Sequence, residues 1–122
     1  MIIKELNHIA LHTADLAASC RFYADILCLK TIPRPAFDFA GEWFRLGKQE
    51  LHLIAGRTDK ETIPNHRRRH FALQVESAEA TIAYLEAKKV PFEPPKLRPD
   101  GAIQIFLQDP DGHWIELCQL PS

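Results

Sequence analysis

Polar and apolar residues alternate along residues 6–13, Leu-Asn-His-Ile-Ala-Leu-His-Thr. Strand side chains point to opposite faces in turn, so His8, Ala10 and His12 share one face and Ile9 and Leu11 the other. Asp15 follows as a helix N-cap. Leu16, Cys20, Tyr23 and Leu27 then recur at i, i+4, i+7 and i+11, the stripe of an amphipathic helix. Residues 28–32 read as a strand leaving that helix, and Pro33 and Pro35 mark a loop. Residues 43–46 and 50–55 read as a hairpin turning at Gly47-Lys48.

The second half of the chain repeats this order. His70-Phe-Ala-Leu echoes His8-Ile-Ala-Leu, with His70, Ala72 and Gln74 on one face and Phe71, Leu73 and Val75 on the other. Ser77 is the N-cap, and Ala78, Ile82 and Leu85 form the helix stripe. Residues 90–93 predict a short strand that Pro94-Pro95 breaks. Residues 102–108 and 113–119 predict a closing hairpin around Asp109-Pro-Asp-Gly112. The chain therefore reads as one α+β domain over 1–122 made of two tandem βαβββ modules. Module 1 spans about 3–56, a linker about 57–68, and module 2 about 69–120.

The two faces of each opening strand differ in kind. One is bulky and apolar, suited to packing under a helix on the outer side. The other sets a histidine beside a small residue, His8 with Ala10 and His70 with Ala72, which leaves room for a cavity. Each half also ends in a short apolar strand carrying one polar residue, His52 in the first and Glu116 in the second. Imidazole and carboxylate together suit a first-row divalent ion, Zn, Ni, Fe, Co or Mn, without selecting strongly among them. His8, His52, His70 and Glu116 thus form a candidate four-ligand set. Inheritance of the histidines for packing would explain His8 and His70. It explains Glu116 poorly, because a carboxylate between Ile115 and Leu117 is costly to bury unless paired or metal-bound.

The composition, 46% apolar and 25% charged with a net charge of −1, points to a soluble globular protein and gives no sign of nucleic-acid binding. The single basic run, Arg67-Arg68-Arg69, is short and reads as a solvated loop. No apolar stretch approaches the roughly 18 residues of a membrane span, and the N-terminus lacks a signal-peptide layout. Three cysteines without CxxC spacing fit a reduced, cytoplasmic protein.

These segments resemble the vicinal oxygen chelate superfamily, which includes glyoxalase I, fosfomycin-resistance transferases, bleomycin-resistance proteins, methylmalonyl-CoA epimerase and extradiol dioxygenases. The resemblance runs through Asn7-His8-Ile-Ala-Leu, Asp15-Leu16, Phe22-Tyr23, Leu27-Cys28-Leu29 and Leu51-His52-Leu53. It continues through His70-Phe-Ala-Leu-Gln-Val and Asp109-Pro-Asp-Gly-His-Trp-Ile-Glu116-Leu, the last being the most specific piece. It implies two modules in a curved mixed sheet around a metal, with ligands from the first and last strands of each module. Here those positions are His8, His52, His70 and Glu116. Two departures stand out. Glyoxalase I commonly has a glutamate as second ligand where this chain has His52, although Glu50 shares that face and is the alternative. The family also usually has Gly where Cys28 stands, and Cys28 disfavours a left-handed helix cap.

The resemblance implies Lewis-acid chemistry on a small oxygenated molecule, with Glu116 as catalytic base in a lyase or isomerase of the glyoxalase type. Rival readings are an Fe(II)-dependent dioxygenase using His8, His70 and Glu116, and a binding protein of the bleomycin-resistance kind. Trp43, Arg45, His12, Gln74 and Arg98 are candidate substrate-binding residues, the arginines for a carboxylate or phosphate. Cys118 reads as an inert buried thiol, His113 as an exposed turn residue and His66 as part of the linker. A homodimer is expected, with a small-molecule substrate and neither nucleic acid nor membrane as partner.

Overall fold

In a computed structural model describing residues 1–122, the alternating segments become eight strands. They divide equally between two compact units, Met1–Lys60 and Glu61–Ser122. The first unit contains β1 (His8–Thr13), α1 (Leu16–Arg21), β2 (Thr31–Ile32), β3 (Gly41–Leu46) and β4 (Gln49–Ala55). The second contains β5 (Phe71–Gln74), α2 (Ala78–Ala87), β6 (Lys96–Leu97), β7 (Ile103–Gln108) and β8 (Trp114–Gln119). Each unit folds its strands into one four-stranded mixed sheet, in the orders β1-β4-β3-β2 and β5-β8-β7-β6. Each opening strand is thus an edge strand paired in parallel with the last strand of its unit, and the other pairs are antiparallel. The architecture is α+β, with βαβββ order in each unit. No helix is long and apolar enough to cross a membrane.

Alternation sorts the core as the pattern predicts. Leu51 lies opposite Phe44, both fully buried, and Tyr23 reaches the same layer at 6.2 Å from the Phe44 ring. In the second unit Ile105 lies opposite Leu117 and Leu107 opposite Ile115, all buried, with Leu85 of α2. Each such side chain stabilises its unit by about 1.5–3 kcal/mol through removal from water. Asp15 and Ser77 cap the helices as expected: Ala18 N–H donates to Asp15 Oδ1 and Ala80 N–H to Ser77 Oγ.

Three local features depart from the sequence reading. The first helix widens after Arg21 into a π-turn over Phe22–Ile26, where Leu27 N–H donates to Phe22 O at 3.0 Å. The strand expected over 28–32 shrinks to Thr31–Ile32, because Cys28 closes the helix in the left-handed region at φ 59°. The closing bond from Leu29 N–H to Tyr23 O requires that turn. The strand expected at 90–93 forms instead beyond the two prolines, at Lys96–Leu97. Prolines supply no N–H, so before that point only Glu93 N–H reaches β7, donating to Phe106 O at 2.9 Å.

A left-handed residue with a Cβ is strained by about 1–2 kcal/mol, part of which glycine returns as unfolded-chain entropy. Cys28→Gly should therefore stabilise the protein by about 0.5–1 kcal/mol, raising Tm by about 2–6 °C. Calorimetry checks this, and a lowered Tm would count against strain at Cys28.

Candidate metal centre

In the first unit, register fixes the neighbours of each candidate. β1 and β4 pair so that His8 lies opposite Glu50 and Ala10 opposite His52. Trp43 of β3 lies on the other side of His52. The His52 ring is consequently sandwiched, 4.1 Å from the His8 ring and 3.9 Å from the Trp43 ring system, with interplanar angles of 17° and 0°. Its Nε2 lies 2.9 Å from Glu50 Oε1, and Arg45 Nη1 lies 3.7 Å from Glu50 Oε2. His8 Nδ1–H donates to Asn7 Oδ1 at 2.7 Å. Glu50 and His52, weighed as alternatives in the sequence, are thus hydrogen-bonded to each other.

The second unit repeats the register with different side chains. Ala72 lies opposite Glu116, as Ala10 lies opposite His52. Phe106 occupies the slot of Trp43. Glu116 is buried, and Gln104 Nε2–H donates to its Oε1 at 3.2 Å. His70 Nε2 lies 3.2 Å from the same oxygen, while its Nδ1–H donates to the carbonyl of His66 at 2.6 Å. In a neutral His70 that bond spends the ring's one proton, so the Nε2 lone pair faces a carboxylate oxygen. A proton on Nε2 or a metal ion between the two atoms would join them at that distance. Two ligands each about 2.1 Å from one ion stand about 3.0–3.4 Å apart at angles of about 90–110°. The His70–Glu116 spacing therefore fits a divalent metal.

The remaining candidates have other surroundings. Arg45 is exposed beside Glu50, and Trp43 is half-buried against His52. His12 and Gln74 are exposed, opposite Ile54 and Cys118. Arg98 is held by Asp100, to which its Nε–H and Nη2–H donate at 2.8 and 2.7 Å. That guanidinium and the Ala102 N–H hold the Asp100 carboxyl at about 2. Burial, then the hydrogen bond with Glu116, push the Cys118 thiol up, so it stays protonated and inert. Two histidines differ from their sequence reading. His113 is half-buried rather than exposed, and His66 is buried rather than a plain linker residue. Nothing in a single sequence marks a linker histidine that packs on a strand forty residues later.

A further group, Asp109, Asp111 and His113, has its ligand atoms within 4.8 Å of one another. Its closeness follows from the turn. Asp109 Oδ1 accepts from the N–H groups of both Asp111 and His113, each at 2.9 Å, and Gly112 supplies the positive φ of 83°.

Residues 5–117 match the family model of the Glyoxalase/Bleomycin resistance protein/Dioxygenase superfamily. The chain belongs to this superfamily. A probable lactoylglutathione lyase of Synechocystis is 31% identical over 127 residues, covering 96% of this chain and 96% of the relative. The glyoxalase family protein of Enterococcus faecalis superimposes with a TM-score of 0.80 at 27% identity, covering 97% of this chain and 99% of that one. A variant of the fosfomycin resistance protein FosX from Listeria monocytogenes, complexed with Mn(II) and a dihydroxypropylphosphonic acid, shares the fold. Its TM-score is 0.77 at 22% identity, covering 98% of this chain and 95% of that one.

The turn and the histidine–carboxylate pair can be separated experimentally. Asp109→Ala should cost about 1–3 kcal/mol by leaving two backbone N–H groups unpaired, measured by urea denaturation. Asp111→Ala should leave bound metal unchanged in elemental analysis; loss of metal there would move the site to the turn.

Proposed function

We propose that the protein is a metal-dependent lyase or isomerase of the glyoxalase kind, acting on a small oxygenated substrate. His8, His52, His70 and Glu116 are proposed to hold one divalent ion per chain, Zn, Ni, Fe, Co or Mn. The observation that carries this reading is the shared register. Within each unit the candidate on the last strand lies opposite the alanine two residues beyond the first-strand histidine. A relative named as a probable lactoylglutathione lyase supports the lyase assignment.

When bound, the ion supplies a Lewis acid that draws in substrate oxygens. Three neutral imidazoles and one carboxylate leave such a site with a net charge of +1, which favours anionic oxygen and stabilises negative charge developing on it. Glu116 takes the proton from the carbon next to the substrate carbonyl and returns it at the neighbouring position. Its burial beside Phe106 excludes water from that transfer. Gln104, donating to Oε1, orients the carboxylate. Trp43 holds the His52 ring in plane.

One observation favours a second reading. His52 directs Nε2 at Glu50, which leaves His8, His70 and Glu116 as a two-histidine, one-carboxylate triad suited to Fe(II) and O₂. Reconstitution with Zn, Ni, Co, Mn and Fe(II), followed by assays on hemithioacetals, 2-oxo acids and catechols, separates the two. Proton-transfer turnover without oxygen uptake is expected. Turnover of a catechol with Fe(II) alone, consuming oxygen, establishes the dioxygenase.

The ligand assignment has its own test. His70→Ala and Glu116→Ala should each lose most of the bound metal, and full retention by both would falsify the set. In Trp114→Phe, which leaves Trp43 as the sole indole, Ni(II) or Co(II) should quench emission with saturation at one ion per chain. His52→Ala should abolish the quenching if His52 is a ligand.

A homodimer is also proposed. β1 and β5 are edge strands, and Ile2, Ile3 and Leu6 are exposed before β1. Light scattering at micromolar concentration should give twice the 13.9 kDa chain mass; the monomer mass would refute the dimer.

A further inference from the structure

His66 has no part in the ligand set, yet it is among the few buried polar residues, 8% exposed. Its ring stacks on Phe106 with centroids 3.6 Å apart and planes 9° from parallel, and its edge meets Trp114 at 5.9 Å. The Trp114 indole N–H donates to the carbonyl of Ile63 at 2.9 Å. Segment 63–66 is thereby tied to β7 and β8 by two aromatic side chains. The carbonyl of His66, at the end of that segment, accepts the Nδ1–H of His70.

The first unit shows what this carbonyl replaces. There the residue before the histidine, Asn7, offers its own side-chain oxygen to His8 Nδ1–H. The corresponding residue before His70 is Arg69. A guanidinium has donors and no acceptor, and Arg69 lies 3.5 Å from Glu61 instead. The same task therefore falls to a backbone oxygen from the segment before the strand. Such an oxygen holds a ring in place only if its own segment is held.

We infer that His66 is a positioning residue: its ring anchors segment 63–66 on Phe106 so that its carbonyl fixes the tautomer and orientation of His70. The inference rests on the reading of His70 as a metal ligand. A histidine whose Nδ1–H is spent on a carbonyl presents the Nε2 lone pair for coordination, and loss of such partners typically weakens metal binding about 10- to 100-fold. The ring works here as a flat packing surface rather than as a charge. The Lys96 ammonium lies 3.4 Å from its Nε2, and burial, then that ammonium, push the His66 imidazole below its ordinary value. Phenylalanine has the same flat surface and should serve equally.

The experiment compares His66→Ala and His66→Phe by two measurements. Imidazole nitrogen NMR on metal-free protein reads the His70 tautomer, and competition with a chromophoric chelator reads Zn(II) affinity. The native protein and His66→Phe should both show His70 protonated at Nδ1 and bind Zn(II) alike. His66→Ala should show mixed tautomers and bind Zn(II) about 10-fold or more weakly. An unchanged tautomer and affinity in His66→Ala overturns the inference. So does a His66→Phe that behaves like His66→Ala, since the ring's polarity rather than its stacking would then matter. If His70→Ala keeps its zinc while His66→Ala still scrambles the tautomer, the ligand reading fails and the positioning of His70 stands.

Discussion

Parallel pairing of the first and last strands is the constraint on which each unit depends. An edge strand in parallel register with its neighbour has its side chains placed by that neighbour alone, and a slip of one residue would turn every polar group to the opposite face. Buried side chains prevent the slip. Leu51 and Leu53 are buried on β4, Ile115 and Leu117 on β8, and Ile9, Leu11, Phe71 and Leu73 are partly covered beside them. With those on the helix side, His8 and His52, and likewise Ala72 and Glu116, must lie on the other. The apolar core thus sets where the polar chemistry can be.

That part of the structure was legible because it depends on period alone. Alternation marked β1, β4, β7 and β8 and the faces of their residues, and Asp15 and Ser77 announced both helices. The His-x-Ala repeat made the duplication visible, and duplication brought His52 and Glu116 into correspondence before any register was known. What escaped depends on backbone detail or on distant partners. No periodicity distinguishes a π-turn from an α-turn at Phe22–Ile26, and Cys28 argued against the left-handed cap that it adopts. Residues 90–93 look like a strand, but the neighbouring prolines move the pairing to Lys96–Leu97. The Glu50–His52 hydrogen bond and the stacking of His66 on Phe106 are facts of side-chain direction that spacing does not encode.

Divergence between equivalent slots shows which positions are under structural demand and which are free to differ. An aromatic ring lies opposite the last-strand candidate in both units, Trp43 against His52 and Phe106 against Glu116. The residue before the first-strand histidine changes from Asn7 to Arg69, yet in both units an oxygen accepts the Nδ1–H. Retention of that hydrogen bond through different atoms indicates that ring orientation, rather than the identity of the neighbour, is the property each unit maintains.

The carboxylates complete the contrast. Both units contain a histidine Nε2 within hydrogen-bond reach of a glutamate, His52 with Glu50 and His70 with Glu116. Glu50 is partly exposed and has the Arg45 guanidinium at 3.7 Å, so solvent and a cation already compensate its charge. Glu116 is buried and has the neutral amide of Gln104 in the comparable role. A buried carboxylate whose neighbours are an amide, a thiol and an imidazole calls for a positive charge, on the imidazole or on an ion. On the proposed ligand set that charge is a divalent ion. That demand falls on the second unit first, while Glu50 is a hydrogen-bond partner that steadies His52.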